Sequence, residues 1–144
     1  MNISIEFIPH TQHRFTTIGY WFVEKIFVSD GINSEHVDDI LHIRISREIC
    51  WENKIAVLFH ELIEAAWCIN HAITTEQCDA FDALFEREYE EGKWPKSVEA
   101  GMDKRCPYRK GHIWGCRFEW LVLFILGADK KKCDAECDAL MGVI

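Results

Sequence analysis

Apolar and polar positions alternate along the first 46 residues of the chain and take a helical period after residue 50. Residues 3–8 alternate strictly, which predicts a half-buried strand. Residues 18–28 are aromatic and β-branched, so they predict a second strand or strand pair, and residues 29–34 form a turn. A third strand, over residues 40–45, alternates again, and its apolar face consists of Leu41, Ile43 and Ile45.

Four helices follow in the second part of the chain. The first is predicted over about residues 51–70. The second begins at Thr74, because Gln77 stands three residues later and completes a capping box. Residues 93–109 contain the breakers Pro95, Gly101 and Pro107 and predict a looser segment. The remaining helices are predicted over about 112–126 and 130–141.

This order of elements predicts an α+β fold. A small antiparallel sheet over residues 1–46 is expected to pack against a layer of about four helices over residues 51–141. The chain has 144 residues, no internal repeat and no linker-like segment, so a single domain over 1–144 is expected.

Composition narrows the classes of function. The formal net charge is −8, which argues against nucleic acid as a partner, since such binding requires basic patches. The first residues do not resemble a signal peptide, and the apolar run 120–126 is too short to cross a membrane. We therefore expect a cytoplasmic protein. Its seven cysteines, an odd number without any Cys-x-x-Cys pair, are expected to be reduced.

The first helix carries the strongest candidate chemistry. His60 and Glu64 are four residues apart and project from nearly the same line of a helix, with Glu61 one step round. This resembles a His-Glu-x-x-His metal helix in which a carboxylate replaces the second histidine. Charged groups within an apolar helix must be paired, protonated or bound to a metal. The helix is therefore predicted to form the floor of a metal site.

Further candidates lie outside this helix. His112 and Glu119 are seven residues apart on the third helix and share a face, with Cys116 between them. One of two aspartates of the second helix could be an additional ligand or could orient one. The polar turn after the first strand adds a histidine and an arginine. These additional candidates are Asp79, Asp82, Glu119, His10 and Arg14.

A catalytic interpretation assigns a role to each residue. His60, Glu64 and His112 would hold zinc, although manganese or iron would also accept these ligands. Glu61 would act as the general base that takes a proton from water. The substrate class expected from this chemistry is a peptide or amide.

The combined motifs resemble a family of small uncharacterised phage and prophage proteins. The resemblance rests on three strings in the second part of the chain and on two early motifs. The strings are His60-Glu61-Leu62-Ile63-Glu64-Ala65, Asp79-Ala80-Phe81-Asp82, and Pro107-Tyr108-Arg109-Lys110-Gly111-His112 with Glu119. The early motifs are Ile8-Pro9-His10 with Arg14, and Gly19-Tyr20-Trp21. The resemblance implies a protein of the host cytoplasm and supports the importance of these residues more than any particular activity.

A more distant similarity, to zincin metalloproteases, comes from strands followed by a His-Glu helix and a later ligand helix. It implies a zincin-like fold and a hydrolase of the peptidase or amidase class. The chain departs from the zincin pattern because Glu64 stands in place of the second histidine, and no downstream zincin signature follows.

Two alternatives remain open. Glu61-x-x-Glu64 followed by Glu76-x-x-Asp79 resembles the acidic pairs of all-α nucleotide pyrophosphohydrolases, which bind magnesium. Alternatively, the chain is a phage accessory protein that binds a host protein and uses the metal as a structural staple. Exposed aromatic side chains would suit such a partner surface, with candidates at Tyr20, Trp21, Trp94 and Trp114.

Overall fold

The computed structural model describes residues 1–95 and 97–142 and shows a mixed α+β fold. Its strands are β1 (Asn2–Ile8), β2 (Gly19–Ser29) and β3 (Ser34–Ser46). Its helices are α1 (Trp51–Asn70), α2 (Thr75–Glu90), α3 (Arg109–Ile125) and α4 (Lys130–Leu140). Short 3₁₀ helices cover His10–Gln12 and Ala100–Met102.

The sheet is mixed, so the prediction of an antiparallel sheet is wrong in part. The strand order is β1-β3-β2, in which β3 pairs with β2 antiparallel and with β1 parallel. The reason is topological: β2 runs back across the sheet, and β3 then enters between the two earlier strands. Alternation in the sequence sets which side chains share a face, but it does not set the neighbour of a strand.

The apolar row of β3 forms the centre of the main core. Leu41, Ile43 and Ile45 are almost completely buried beneath α1, as the alternation predicted. Helix α1 contributes Val57, Ala65 and Cys68 to the same cluster. The sheet and the helical layer therefore share one hydrophobic core, which fixes the orientation of α1 above the sheet.

Local signals explain the helix ends. Thr74 accepts a hydrogen bond from the Gln77 amide, and the Gln77 side chain accepts one from the Thr74 amide, so the predicted capping box is present. Helix α1 spans the residues predicted for it. Helix α3 begins at Arg109, about one turn before the predicted start, because Pro107 ends the looser segment earlier than expected.

Within the described part of the chain, no helix combines the length and apolar character required to cross a membrane. All seven cysteines are free thiols. Two of the aromatic side chains considered for a partner surface, Tyr20 and Trp21, are buried, so the expectation that they are exposed is wrong. Trp94 is partly buried, and Trp114 remains exposed.

Candidate metal centre

Helices α1 and α3 can approach each other closely because α3 carries glycines opposite the site residues of α1. A Cβ atom added to Gly115 would lie 2.8 Å from Cδ2 of His60 and 3.0 Å from its carbonyl oxygen. A Cβ added to Gly111 would lie 3.2 Å from the Glu64 carbonyl oxygen. The contact between the helices therefore requires the absence of side chains on α3 opposite the two candidate ligands of α1.

Three donor atoms converge in the space between these helices. Nε2 of His60 lies 3.1 Å from Nδ1 of His112. Oε2 of Glu64 lies 3.0 Å from the same His112 nitrogen and 3.6 Å from Nε2 of His60. The structure thus brings together His60, Glu64 and His112, although 48 residues separate Glu64 from His112 in the sequence.

Each of these three side chains is held by a second contact on its outer side. Nδ1 of His60 lies 2.9 Å from Oε2 of Glu119, and Nε2 of His112 lies 3.1 Å from Oε2 of Glu99. The indole of Trp21 donates a 3.0 Å hydrogen bond from Nε1 to Oε1 of Glu64. These contacts fix the ring orientations and turn the three remaining donor atoms inward.

Charge is concentrated around the two imidazoles. Burial alone would lower the pKa of His60, but hydrogen bonds with Cys116 and with carboxylates outweigh it and raise the pKa well above 6.5. Burial likewise opposes the charged form of His112, whereas hydrogen bonds with Cys116 and Glu64 raise its pKa to about 11. The surrounding carboxylates thus favour the charged form of an imidazole at this site.

The two carboxyl groups of α1 have opposite properties. Burial would raise the pKa of Glu64, but hydrogen bonds from His112 and His60 dominate and lower it to about 2. Burial and the charge of Glu64 raise the pKa of Glu61 to about 8. Glu61 is 7% exposed and lies close enough to His60 and His112 for their charges to act on its carboxyl group. Glu61 is therefore a mostly buried carboxyl group whose charge interacts with those of the site residues.

Cys116 is a further possible ligand at the site. Its sulfur lies 3.6 Å from Nε2 of His112, and donor atoms of His60, His112 and Cys116 lie within 4.8 Å of one another. Burial disfavours the thiolate, but hydrogen bonds with His112 and His60 prevail and lower the Cys116 pKa to about 7. The group of His60, His112 and Cys116 could hold a metal ion, and Glu64 lies within 3.6 Å of both imidazoles.

The other predicted candidates make different contacts. Glu119 contacts His60, as described above. Asp82 accepts a hydrogen bond from the Tyr108 hydroxyl, and burial raises the pKa of Asp82 to about 7. Asp79 forms an ion pair with Arg14, and His10 Nδ1 lies 2.8 Å from the Ser46 hydroxyl. The interpretation of Asp79, Arg14 and His10 as ligands or ligand partners is thus not supported by their contacts.

Glu99 and Trp21 were not predicted from the sequence as site residues. Glu99 lies in the non-helical segment before Ala100–Met102, where no periodicity indicates which side chains point inward. Gly101 is packed so closely against the His112 ring that a Cβ would collide with it. Gly101, two residues after Glu99, is the local feature of the sequence that accompanies the contact of Glu99 with His112.

Comparisons with known proteins leave the site to be interpreted from its geometry. No family model, curated protein or solved structure matches this chain.

Proposed function

We propose that this protein is a zinc-dependent hydrolase in which His60, Glu64 and His112 hold the ion and Glu61 is the general base. The observation that carries the proposal is the double anchoring of the three ligands. Each has one donor atom facing the other two and a second atom held by Glu119, Glu99 or Trp21. Histidine ligands of metals commonly donate their other N–H to a carboxylate in this way.

The spacing of the donor atoms supports a small cation. Zinc bonds of 2.0–2.1 Å in tetrahedral geometry place neighbouring donor atoms about 3.3 Å apart. The three separations here are 3.1, 3.0 and 3.6 Å. Two imidazoles and one carboxylate form a donor set typical of catalytic zinc, whereas manganese and iron are the alternatives that the same ligands accept. Magnesium suits this set less well because it prefers oxygen donors.

Glu61 has the properties of a general base in this setting. A bound zinc ion would polarise a substrate carbonyl and make a coordinated water more acidic. The Glu61 carboxyl group lies beside the ligands and is mostly buried, and burial together with the charge of Glu64 makes it a stronger base than an exposed glutamate. A nearby cation stabilises the carboxylate form, in which Glu61 accepts the proton of the attacking water.

A cavity offers a route for a substrate. It has a volume of about 470 Å³ and is lined by residues that include Val98, Glu99, Met102 and Cys116. Cys116 and Glu99 both contact His112, so the cavity reaches the edge of the site. Its mixed apolar and polar lining suits a peptide or amide substrate, in agreement with the similarity to zincins. The resemblance to phage proteins supports action in a host cytoplasm.

A second proposal is favoured by the burial of the site. His60, Glu61 and Glu64 are all less than 9% exposed, and closed sites are typical of structural zinc. In that case the metal stabilises an accessory protein that binds a host protein. The magnesium pyrophosphohydrolase hypothesis finds less support, because Glu76 is exposed and Asp79 is paired with Arg14.

Both proposals assume that the protein binds a metal ion. Elemental analysis of protein purified without added metal tests this assumption. We expect about one transition-metal ion per chain, lost in His60→Ala and retained in His36→Ala, which alters an exposed histidine of β3. Stoichiometric magnesium alone would contradict the zinc assignment. A folded wild-type protein without metal would show instead that the His–Glu cluster is a network of buried ion pairs.

A further inference from the structure

The apolar row of β1 faces the helical side of the sheet and is not covered by a helix. Ile3, Ile5 and Phe7 are paired in register with Leu41, Ile43 and Ile45, so both rows project from the same face. The row of β3 is at most 3% exposed, whereas Ile3, Ile5 and Phe7 are 56%, 48% and 47% exposed. The helical layer therefore ends before it reaches β1.

The nearest part of α1 leaves this row open. The ammonium group of Lys54 lies 5.8 Å from the centre of the Phe7 ring, which places this side of α1 beside β1. Trp51, three residues earlier on the helix, is also exposed. The row of Ile3, Ile5 and Phe7 thus forms an apolar strip that borders the ammonium group of Lys54. Contiguous apolar surface of this kind marks an interaction site on a folded protein.

The outer edge of β1 lacks the devices that usually prevent strand pairing. β1 is an edge strand, and within residues 1–95 and 97–142 no strand pairs with its outer side. It contains no proline or lysine. Its single charged residue, Glu6, projects from the opposite face and accepts a 2.6 Å hydrogen bond from Nε of Arg44. Exposed edges without such protection add a further strand readily.

We propose that a second copy of this chain pairs with β1, strand against strand and antiparallel, to form a six-stranded sheet across a twofold axis near Ile5. The sequence of β1 is complementary to itself in this register. Ile5 would face Ile5 of the second copy, and Ile3 would face Phe7 of the second copy. Glu6 would face Ser4 of the second copy, so no like charges oppose each other directly.

The accessible surface of the chain is larger than that of an average compact monomer. It measures 8875 Å², whereas a compact monomer of 16.9 kDa exposes about 7,700 Å². The excess, about 1,200 Å², exceeds the roughly 800 Å² that each partner contributes to an interface of standard size. Pairing of β1 with its copy would remove the apolar strip and one unprotected sheet edge from water at the same time.

The mass of the protein in solution tests this proposal. Light scattering after size exclusion should give twice 16.9 kDa for the wild type at micromolar concentration. Ile5→Lys should give the mass of one chain, because pairing would bring two ammonium groups together on the apolar strip. Ile32→Lys is the matched control, since Ile32 is 91% exposed in the β2–β3 turn, and it should remain dimeric.

A cysteine variant keeps the test decisive if Ile5→Lys does not fold. Ile5→Cys retains a small apolar side chain and should form a covalent dimer when oxidised with glutathione disulfide, detected on a non-reducing gel. Ile32→Cys and the wild type, with its native cysteines, should form none. A monomeric wild type at 100 micromolar would overturn the proposal, as would an Ile5→Lys variant that remains dimeric or an Ile5→Cys variant without the covalent dimer.

Discussion

Nδ1 of His60 lies 2.9 Å from Oε2 of Glu119, a contact that joins the middle of α1 to the second half of α3. The pair leaves Nε2 of His60 directed towards His112 and Glu64. An imidazole that donates from one nitrogen to a carboxylate is a better ligand through its other nitrogen, because the carboxylate fixes the tautomer and increases the basicity of the ring.

Glu119→Gln should therefore weaken zinc binding without abolishing it. Loss of such an outer carboxylate typically reduces metal affinity 10–100-fold, and we expect about tenfold here because glutamine can still accept a hydrogen bond. Competition with a chelating dye measures the change in Kd. Glu90→Gln, at an exposed position of α2, is the control. An unchanged affinity in Glu119→Gln would show that Glu119 does not hold His60 in its metal-binding orientation.

Substitution of Glu61 separates catalysis from metal binding. Glu61→Gln keeps the shape of the side chain but cannot accept a proton, so hydrolysis should decrease by about 10²–10⁴-fold. The metal content and the free energy of unfolding should change little. Both are compared with the wild type on a panel of peptides, amides and phosphoesters. Release of the metal would identify Glu61 as a ligand and would disprove the general-base role. Absence of any hydrolysis, even by the wild type, would favour a structural metal.

Gly115→Ala tests the close contact of α3 with His60. In a helix interior, alanine normally stabilises relative to glycine by about 1 kcal/mol. Here the new Cβ would lie 2.8 Å from Cδ2 of His60, so the helices must separate. We expect a net loss of about 1–3 kcal/mol in the free energy of unfolding, together with weaker metal binding. Denaturant titration and metal analysis measure both effects. A stabilised variant with full metal content would contradict the described helix contact.

His13, which lies outside the candidate metal centre, should make the free energy of unfolding depend on pH. Burial and the neighbouring charge of His10 lower the pKa of His13 from 6.5 to about 4. The unfolded chain accepts a proton at higher pH than the folded chain does. The contribution of the neutral His13 ring to the free energy of unfolding is therefore complete above pH 6.5. It decreases as the pH falls towards 4.

The experiment compares wild type and His13→Gln by denaturant titration at pH 7.5 and pH 5. The difference in free energy of unfolding between the two proteins should be smaller at pH 5, because only the wild type loses the contribution. His36→Gln, at an exposed histidine, serves as the control for the loss of an imidazole ring. A difference that is the same at both pH values would contradict a lowered pKa at His13.

The sequence predicts those features that depend on neighbours along the chain. The bounds of α1, the capping box at Thr74 and the common face of His60 and Glu64 all follow from local spacing. The contact of His112 with these residues could be expected from its helical face, but its outer partner Glu99 could not. Glu99 belongs to an irregular segment, and its position depends on the packing of Gly101 against the His112 ring.

The direction of strand pairing also could not be predicted from the pattern of neighbouring residues. The alternation in residues 3–8 correctly indicates the face on which Ile3, Ile5 and Phe7 lie. It does not indicate that β3 separates β1 from β2, because the edge and centre positions of a sheet depend on contacts distant in sequence. Nor does it reveal that the helical layer leaves the row of β1 half exposed.

The central position of β3 has a consequence for the order of folding. β2 and β3 are joined by a short turn in which Asp30 accepts hydrogen bonds from the Ile32 and Asn33 amides. Ile5 of β1 must instead find Ile43, 38 residues later. Because closing the longer loop costs more chain entropy, the β2–β3 hairpin is expected to form first and β1 to add last. During synthesis, β1 would thus leave the ribosome before β2 and β3 but find its place after they have paired.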